Sequence, residues 1–170
     1  MGIQQFKPDV IINAGTAGGF KSKGSTVGDV YICSQIANHD RRIPIPGFQE
    51  YGVGNYSGST VTKIVEELHY KTGVVTTSNS LDHSEMDDVH MLKNDASVKD
   101  MEAASIAWTA EQAGIPFFAI KVITDIVDGD RVTQEEFLEN LAAAASSLQA
   151  AIPRVIDFLV DKPVEVLRQS

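Results

Sequence analysis

A predominantly apolar run limits the possible folds of this 170-residue chain more than any other segment. The run, Phe117–Ile123, lies between Pro116 and a cluster of turn-forming residues at 125–131. Apolar residues follow one another here instead of alternating with polar ones, which indicates a strand that is covered on both faces. Such strands are typical of largely parallel sheets flanked by helices. The run therefore predicts an α/β fold with one layered sheet.

The other patterned segments alternate between strand and helix along the chain. Short apolar runs predict further strands at Val10–Ala14, Val30–Ile36 and Val74–Thr76. Apolar residues at helical spacing predict helices at Ser59–Tyr70, Met101–Ala113 and Thr133–Val160. Asp100 is the expected N-cap of the second helix, Thr133–Glu136 is the expected capping box of the third, and Pro153 is expected to kink or split it. Asn38–Gly58 predicts a long surface loop, which could be a lid, an oligomer contact or a loop without a function.

The charge of the chain argues against two classes of partner. Lys and Arg number 14 against 23 Asp and Glu, which gives a formal net charge of −9. Proteins that bind nucleic acids need a basic face for the phosphates, and proteins that bind anionic membranes need one for the lipid headgroups. We therefore expect neither nucleic acid nor a membrane as partner, whereas a small uncharged ligand is compatible with this composition.

Cysteine and histidine usage argues against a disulfide or a metal site. Cys33 is the only cysteine and lies in a strand-like apolar run, so we expect a buried thiol in a reducing compartment. The histidines are scattered and form no helical pair, and we expect no metal ion and no cofactor. The sequence has no apolar run of about 18 residues and no secretory signal, which predicts a cytoplasmic protein.

Three strand or helix ends carry residues suited to chemistry. The glycine-rich segment 13–19 follows the first strand and could either cradle a ligand with its N–H groups or form a tight turn without one. Asp125 follows the apolar run, where burial would raise its pKa and favour general acid catalysis; a turn or N-cap aspartate is the alternative. Glu102 begins a helix, where it could bind a vicinal diol or remain a solvated acid.

Taken together and in this order, three motifs resemble the nucleoside phosphorylase superfamily. They are Asn-Ala-Gly-Thr-Ala-Gly-Gly at 13–19, Lys-Asp-Met-Glu-Ala-Ala at 99–104 and Ile-Thr-Asp-Ile-Val-Asp-Gly at 123–129. Within the superfamily the sequence is most similar to the 5′-methylthioadenosine/S-adenosylhomocysteine nucleosidases. Residues 39–44 and 135–141 are similar to the plant branch, and the similarity extends from about Lys7 to about Leu159.

The resemblance implies a role for each motif. Asp125 is expected to donate a proton to N7 of adenine, and Glu102 is expected to bind the ribose hydroxyls and stabilise the cationic sugar. Met101 is expected to pack against the sugar, and Leu81 against the base or the alkylthio group. The other residues expected to line the nucleoside are Thr16, Ala17, Gly18, Lys99, Asp100 and Thr124. The implied reaction is hydrolysis of 5′-methylthioadenosine to adenine and 5-methylthioribose, with S-adenosylhomocysteine as a second candidate substrate.

The resemblance also implies features of the whole protein. The family has a three-layer α/β/α fold, and we expect residues 1–170 to form one domain that corresponds to about its C-terminal two-thirds. The first strands of the family fold, and the glutamate on them that activates water, have no counterpart here, so the edge of the strand at Val10–Ala14 is expected to be exposed. Family members are usually homodimers and act in methionine salvage.

Three alternatives to this reading remain open at the level of sequence. The first is a phosphorylase of the same fold, for which Lys21 and Lys23 are the basic residues near the glycine-rich segment. The second is a non-catalytic relative that binds or stores nucleosides. The third is an α/β domain whose acidic residues are all structural.

Overall fold

A computed structural model describes residues 2–160, 162, 163 and 167. The helices within these residues are α1 (Gly2–Phe6), α2 (Gln49–Val53), α3 (Thr62–Leu68), α4 (Glu85–Lys93), α5 (Ala103–Gln112) and α6 (Thr133–Leu159). The strands are β1 (Ile11–Gly19), β2 (Val30–Cys33), β3 (Gln35–Asn38), β4 (Tyr56–Ser57), β5 (Val74–Thr77), β6 (Ala96–Asp100) and β7 (Phe117–Ile126), and Lys21–Lys23 forms one 3-10 turn. This alternation confirms the predicted α/β class.

All of these strands belong to one sheet, in the order β2–β7–β1–β6–β5–β3–β4. The pairs β1–β7, β3–β5 and β5–β6 are parallel, whereas β1–β6, β2–β7 and β3–β4 are antiparallel. The sheet is therefore mixed rather than largely parallel. Strand β7, the strongest prediction from the sequence, is paired along both of its edges.

The side chains of β7 alternate between two apolar layers. Phe117 and Ala119 belong to the cluster that contains the buried alanines of α5, whereas Phe118 and Ile120 pack with Val155 of α6. Helices thus cover both faces of the sheet, which is why the apolar pattern of β7 is continuous. Full burial of each large apolar side chain contributes about 1.5–3 kcal/mol. The three-layer α/β/α arrangement is confirmed.

Strand β1 is longer than predicted and passes through the glycine-rich segment. The backbone stays extended as far as Gly19, with a register shift against β7 between Ala17 and Gly18, so the tight turn that was one of the two alternatives is wrong. Strand β6 pairs with β1 only at Gly18 and Gly19. Among the described residues, the edge of β1 over 11–17 therefore has no strand partner on that side, as the resemblance predicted.

The predicted strand Val30–Ile36 is two strands in the structure. Ser34 separates β2, which pairs with β7, from β3, which pairs with β5 and β4. These partners lie at opposite ends of the strand order. Because one residue joins β2 to β3, the sheet has to curl until its two ends come close together.

Two elements lack an apolar pattern and were not predicted. Every residue of β6 is buried although Ser97, Lys99 and Asp100 are polar or charged. Helix α4 is rich in acidic residues and begins with a capping box formed by Ser84 and Asp87. The segment Asn38–Gly58, predicted to be one loop, contains α2 and β4.

The predicted helix ends are only partly right. Helix α6 begins after Val132 without a side-chain cap, so the capping box at Thr133–Glu136 is wrong, and the helix continues through Pro153 instead of splitting. The N-cap of α5 is Glu102 rather than Asp100, which lies at the end of β6. Gly114 follows α5 with a positive φ of 65°, as expected for a helix C-terminus.

Candidate active site

A cavity of about 500 Å³ lies where the carboxyl ends of β1, β6 and β7 meet. The structure brings all of the residues predicted for the site together in its wall: Thr16, Ala17, Gly18, Leu81, Lys99, Asp100, Met101, Glu102, Thr124 and Asp125. The wall also contains Asn13, Ala14 and Gly15 of the glycine-rich segment, and three residues for which no role in the site was expected: Lys121, Thr133 and Phe137. The volume is typical of a site for a small organic ligand.

Asp125 is a buried carboxyl group near the end of β7, with only 4% of its surface exposed. Burial raises its pKa above the usual value, and the negative charge of Glu136 raises it further. The hydrogen bond from Thr124 and the positive charge of Lys99 act in the opposite direction. Because the net effect is an increase, the site favours the protonated form of Asp125.

The hydrogen bonds around Thr124 are compatible with a protonated Asp125. The Thr124 hydroxyl lies 2.7 Å from Oδ1 of Asp125 and 3.2 Å from the carbonyl oxygen of Ala17. A hydroxyl group has one proton to donate and can accept from other donors. The shorter contact is the donation from Thr124 to Oδ1 of Asp125, which leaves Oδ2 to carry the proton of the protonated carboxyl group.

Gly18 allows the backbone of β1 to approach Asp125. It pairs with Asp125 of β7 on one side and with Lys99 of β6 on the other. A Cβ atom at this position would lie 2.8 Å from Oδ2 of Asp125 and 2.7 Å from Cγ2 of Val127. The glycine is therefore required by the close approach and not by a turn.

Two side chains near the start of α6 fix the end of β7. The carboxylate of Glu136 accepts a 2.9 Å hydrogen bond from the backbone N–H of Ile126, and the side chain of Asn140 donates a 3.0 Å bond to the carbonyl oxygen of Thr124. Both contacts hold the backbone next to Asp125. Glu136 was read from the sequence as part of a capping box, so its position beside Asp125 was not predicted.

Glu102 is an exposed residue in the wall of the cavity, at the N-cap position of α5. Its carboxylate accepts no hydrogen bond from any other residue that the structure describes, so its oxygens are free to accept from a ligand. Met101, which is 41% exposed, lies next to it on the cavity wall. Met101 and Glu102 thus form a solvent-exposed side of the cavity, whereas Asp125 is buried.

Lys99 ties one wall of the cavity to β6. Its ammonium group donates hydrogen bonds of 2.7 Å to the carbonyl oxygen of Leu81 and 3.1 Å to that of Asp82. Burial lowers the pKa of Lys99, although nearby acids, Asp125 first among them, counteract this effect. The half-exposed Leu81 is thereby held over the cavity.

Lys121 and Asp100 form a buried ion pair in the wall of the cavity. Nζ of Lys121 lies 2.7 Å from Oδ2 of Asp100, and the two side chains are 1% and 0% exposed. The angles of this contact are not those of a directed hydrogen bond, and Nζ has no other acceptor among the described residues. Lys121 lies within the run that predicted β7. Nothing in the sequence indicated that this charged residue pairs with Asp100.

The described ranges place no three His, Cys, Asp or Glu side chains together as a metal site would require. In the same residues, no helix combines the length and the apolar character that crossing a membrane requires. Cys33 is fully buried, and burial raises the pKa of its thiol to about 12. The prediction of a buried thiol is therefore confirmed.

Curated relatives of the chain include plant and bacterial nucleosidases. The chain is 49% identical over 160 residues to the 5′-methylthioadenosine/S-adenosylhomocysteine nucleosidase of Arabidopsis thaliana, covering 94% of this chain and 63% of the relative. It is 47% identical over 157 residues to the 5′-methylthioadenosine nucleosidase of the same plant, covering 92% of this chain and 59% of the relative. The chain thus spans about three-fifths of the length of these two relatives.

The fold agrees with that of a solved plant structure. The apo form of the Arabidopsis thaliana 5′-methylthioadenosine nucleosidase superposes with a TM-score of 0.95 at 45% identity, over 98% of this chain and 68% of that one. The family model described as the phosphorylase superfamily matches residues 2–157. On the strength of this match over most of the chain, and of the superposition of the fold, the chain belongs to the phosphorylase superfamily.

Proposed function

We propose that this chain is an N-ribosyl hydrolase that cleaves the bond between adenine and ribose in 5′-methylthioadenosine. The observation that carries the proposal is Asp125, a buried carboxyl group with a raised pKa in the wall of a ligand-sized cavity. The two Arabidopsis thaliana relatives, at 49% and 47% identity, are named as nucleosidases of this substrate and support it.

In the proposed reaction, Asp125 acts as the general acid. It donates its proton to N7 of adenine while the bond between the base and C1′ of the ribose breaks, so that the base leaves as a neutral molecule. A general acid must hold its proton near neutral pH, and the burial of Asp125 favours that state. The proposal gives Thr124 the role of orienting this carboxyl group through its 2.7 Å contact.

Glu102 is assigned the opposite electrostatic role. As the base leaves, the ribose gains positive charge, and a carboxylate nearby stabilises that charge. The same carboxylate can accept hydrogen bonds from two adjacent ribose hydroxyls. In the proposal, Met101 and Thr16 pack along the sugar, and Leu81 packs along the base or the alkylthio group. We assign activation of the attacking water to none of the cavity-lining residues.

The cations around the cavity favour water over phosphate as the nucleophile. A phosphorylase needs basic side chains that are free to hold phosphate. Of the cavity-lining cations among the described residues, Lys99 is bonded to two backbone carbonyls and Lys121 is paired with Asp100. Lys21 and Lys23 do not line the cavity, and Lys23 forms an ion pair with Asp95.

The proposal extends to the setting of the reaction. We propose a homodimer that acts in methionine salvage in the cytoplasm. The acidic, cysteine-poor sequence is compatible with that compartment. Large exposed side chains such as Trp108, Phe48 and Tyr51 offer apolar area for self-association. Sedimentation velocity at several protein concentrations tests the dimer: a monomer at all concentrations would contradict it.

The test is to incubate the purified chain with 5′-methylthioadenosine in phosphate-free buffer and, separately, with added phosphate. Free adenine and the sugar product are then separated by chromatography. The proposal predicts that adenine and 5-methylthioribose form in a 1:1 ratio, and that added phosphate does not change their amounts. Release that needs phosphate and yields a sugar phosphate would make the chain a phosphorylase, and binding without release would make it a non-catalytic relative. S-adenosylhomocysteine, which shares the adenosine portion, is the second substrate to try.

A further inference from the structure

A buried network joins β5 and β7 to the junction between β6 and α5. Oδ1 of Asp100 accepts a 2.6 Å hydrogen bond from the Thr77 hydroxyl, and Oδ2 accepts a 3.0 Å bond from the backbone N–H of Ala103. The Thr77 oxygen in turn accepts a 3.0 Å bond from the N–H of Ala104. Oδ2 of Asp100 also contacts Nζ of Lys121 at 2.7 Å. Side chains from two strands therefore satisfy backbone donors at the start of α5.

This arrangement replaces the usual cap of the helix. The first N–H groups of a helix have no partner within it, and a side chain at the N-cap position normally satisfies one of them. The N-cap here is Glu102, and it makes no such bond. Asp100 and Thr77 supply the missing acceptors from outside the helix. The carboxylate of Glu102 is consequently left free to face the cavity.

The buried charges of Asp100 and Lys121 neutralise each other within the network. Asp100 and Lys121 are both removed from water, and an unpaired charge in such a place is strongly unfavourable. Asp100 therefore has a fixed orientation, because Lys121, Thr77 and Ala103 occupy its oxygens. Only two residues, Met101 and Glu102, separate Asp100 from Ala103, so both ends of this dipeptide are anchored.

We propose that Thr77 and Asp100 are positioning residues that fix the dipeptide Met101–Glu102, and thereby aim the Glu102 carboxylate at the ribose hydroxyls, with Lys121 as the counterion of Asp100. The proposal rests on the proposed function in one respect, the ribose contact of Glu102. It changes the role expected for Asp100 from ligand contact to positioning. Thr77 and Lys121 have no role in the reading of the sequence.

Thr77→Val tests the proposal with a matched control on the same strand. Valine keeps the shape of threonine but neither accepts from Ala104 nor donates to Asp100. The control is Thr76→Val: Thr76 is equally buried on β5, and its hydroxyl contacts His39 and Asn94 instead of the network. Both variants remove one buried hydroxyl, so a loss that reflects only lower stability should appear in both.

The first measurement is amide hydrogen exchange, which does not depend on activity. We expect the Ala103 and Ala104 amides to exchange at least about tenfold faster in Thr77→Val than in the parent chain or in Thr76→Val, at matched global stability, because their acceptors are lost or loosened. Equal exchange rates in the two variants would overturn the proposal, even if the chain proves to be catalytically inactive.

The second measurement compares 5′-methylthioadenosine with its 2′-deoxy analogue. If Glu102 is aimed at the hydroxyls, the parent discriminates between these ligands and Thr77→Val loses about tenfold of that discrimination, as Glu102→Gln does. Thr76→Val should keep it. The ratio is taken from kcat/KM where adenine is released and from Kd where it is not. A discrimination that is unchanged in Thr77→Val but lost in Glu102→Gln would overturn the positioning role and leave the proposed function intact. A discrimination unaffected by Glu102→Gln would refute the ribose contact itself.

Discussion

The carboxylate of Glu136 accepts a 2.9 Å hydrogen bond from the backbone N–H of Ile126, the residue after Asp125. One acid on α6 thus fixes the end of β7 and also places a negative charge near a second acid. That charge raises the pKa of Asp125, in addition to the larger effect of burial. Glu136 therefore helps to keep Asp125 protonated although it does not line the cavity.

The charge of Glu136 can be removed without removing its hydrogen bond. In Glu136→Gln, the amide oxygen still accepts from Ile126, but the pKa of Asp125 falls. A general acid works only while it is protonated, so the high-pH limb of the kcat/KM profile should move to lower pH, and the rate at neutral pH should fall a few-fold. Glu135→Gln, on the exposed side of α6, should leave the limb in place. A limb that stays put in Glu136→Gln, or moves to higher pH, would refute this role.

Gly18→Ala should disturb Asp125 directly. The added methyl group would lie 2.8 Å from Oδ2 of Asp125, which forces the carboxyl group or the strand to move. Displacing a catalytic group by about 1 Å can cost about 10²-fold in rate, and we expect a loss of that order in adenine release. Gly15→Ala places its methyl group 3.7 Å from Nζ of Lys121, an ordinary contact, and should cost much less. Equal losses in both variants would argue against a steric effect on Asp125.

Lys121→Met should lower the free energy of unfolding. It leaves the Asp100 carboxylate buried without its counterion, and breaking a buried pair in this way typically costs about 3–5 kcal/mol. Adding Asp100→Asn removes the unpaired charge and should recover most of the loss. Lys63→Met, at an exposed position, should change stability by less than about 0.5 kcal/mol. Urea denaturation measures all three, and a double variant no more stable than Lys121→Met would contradict the ion-pair explanation.

His39 should make the fold less stable in mild acid. Burial, with a contribution from Lys99, lowers the pKa of His39 to about 4 in the folded chain, against 6.5 for an unperturbed histidine. The unfolded chain therefore binds a proton between these values that the folded chain does not. Stability is fully present above pH 6.5 and falls as the pH drops towards 4.

The variant His39→Gln isolates this effect. The raised pKa of Asp125 makes its own contribution to the pH dependence of stability, opposite in sign to that of His39. This contribution is the same in the parent and in the variant, so it cancels when the two are compared. The urea midpoint of the parent should fall between pH 7 and pH 5 by more than that of His39→Gln. His83→Gln, at the surface, should behave as the parent does. Parallel pH dependence of the parent and His39→Gln would count against a neutral, buried His39.

The fold could be predicted where burial leaves an apolar pattern. Strand β7 is covered on both faces, and the nearly continuous run of apolar residues in its sequence indicates this directly. Strand β6 is just as buried, but its residues Lys99 and Asp100 line the cavity, and Asp100 also forms the ion pair, so polar residues in a buried strand interrupt its apolar pattern. The break at Ser34 was also invisible, because the sequence of β2 and β3 carries no sign of the curl that separates their partners.

The site could be predicted from motifs that lie far apart in sequence and meet at the ends of β1, β6 and β7. What the motifs missed were residues that act through others. In the sequence, Thr77 is an ordinary strand residue; only the structure shows its hydroxyl bonded to both Asp100 and Ala104. In the sequence, Glu136 has the pattern of an acidic residue at the start of a helix; its role follows only from the packing of α6 against the end of β7. Such roles depend on tertiary contacts and leave no local pattern.

The most direct test of the account is the turnover of Asp125→Asn beside Asp130→Asn. Asparagine keeps the size of the side chain but has no acidic proton, whereas Asp130 is an exposed turn residue outside the cavity. Adenine release from 5′-methylthioadenosine should fall by about 10²–10⁴-fold in Asp125→Asn, with binding of the nucleoside retained, and should be unchanged in Asp130→Asn. Release at the parental rate in a folded Asp125→Asn chain would contradict the central claim that Asp125 is the proton donor.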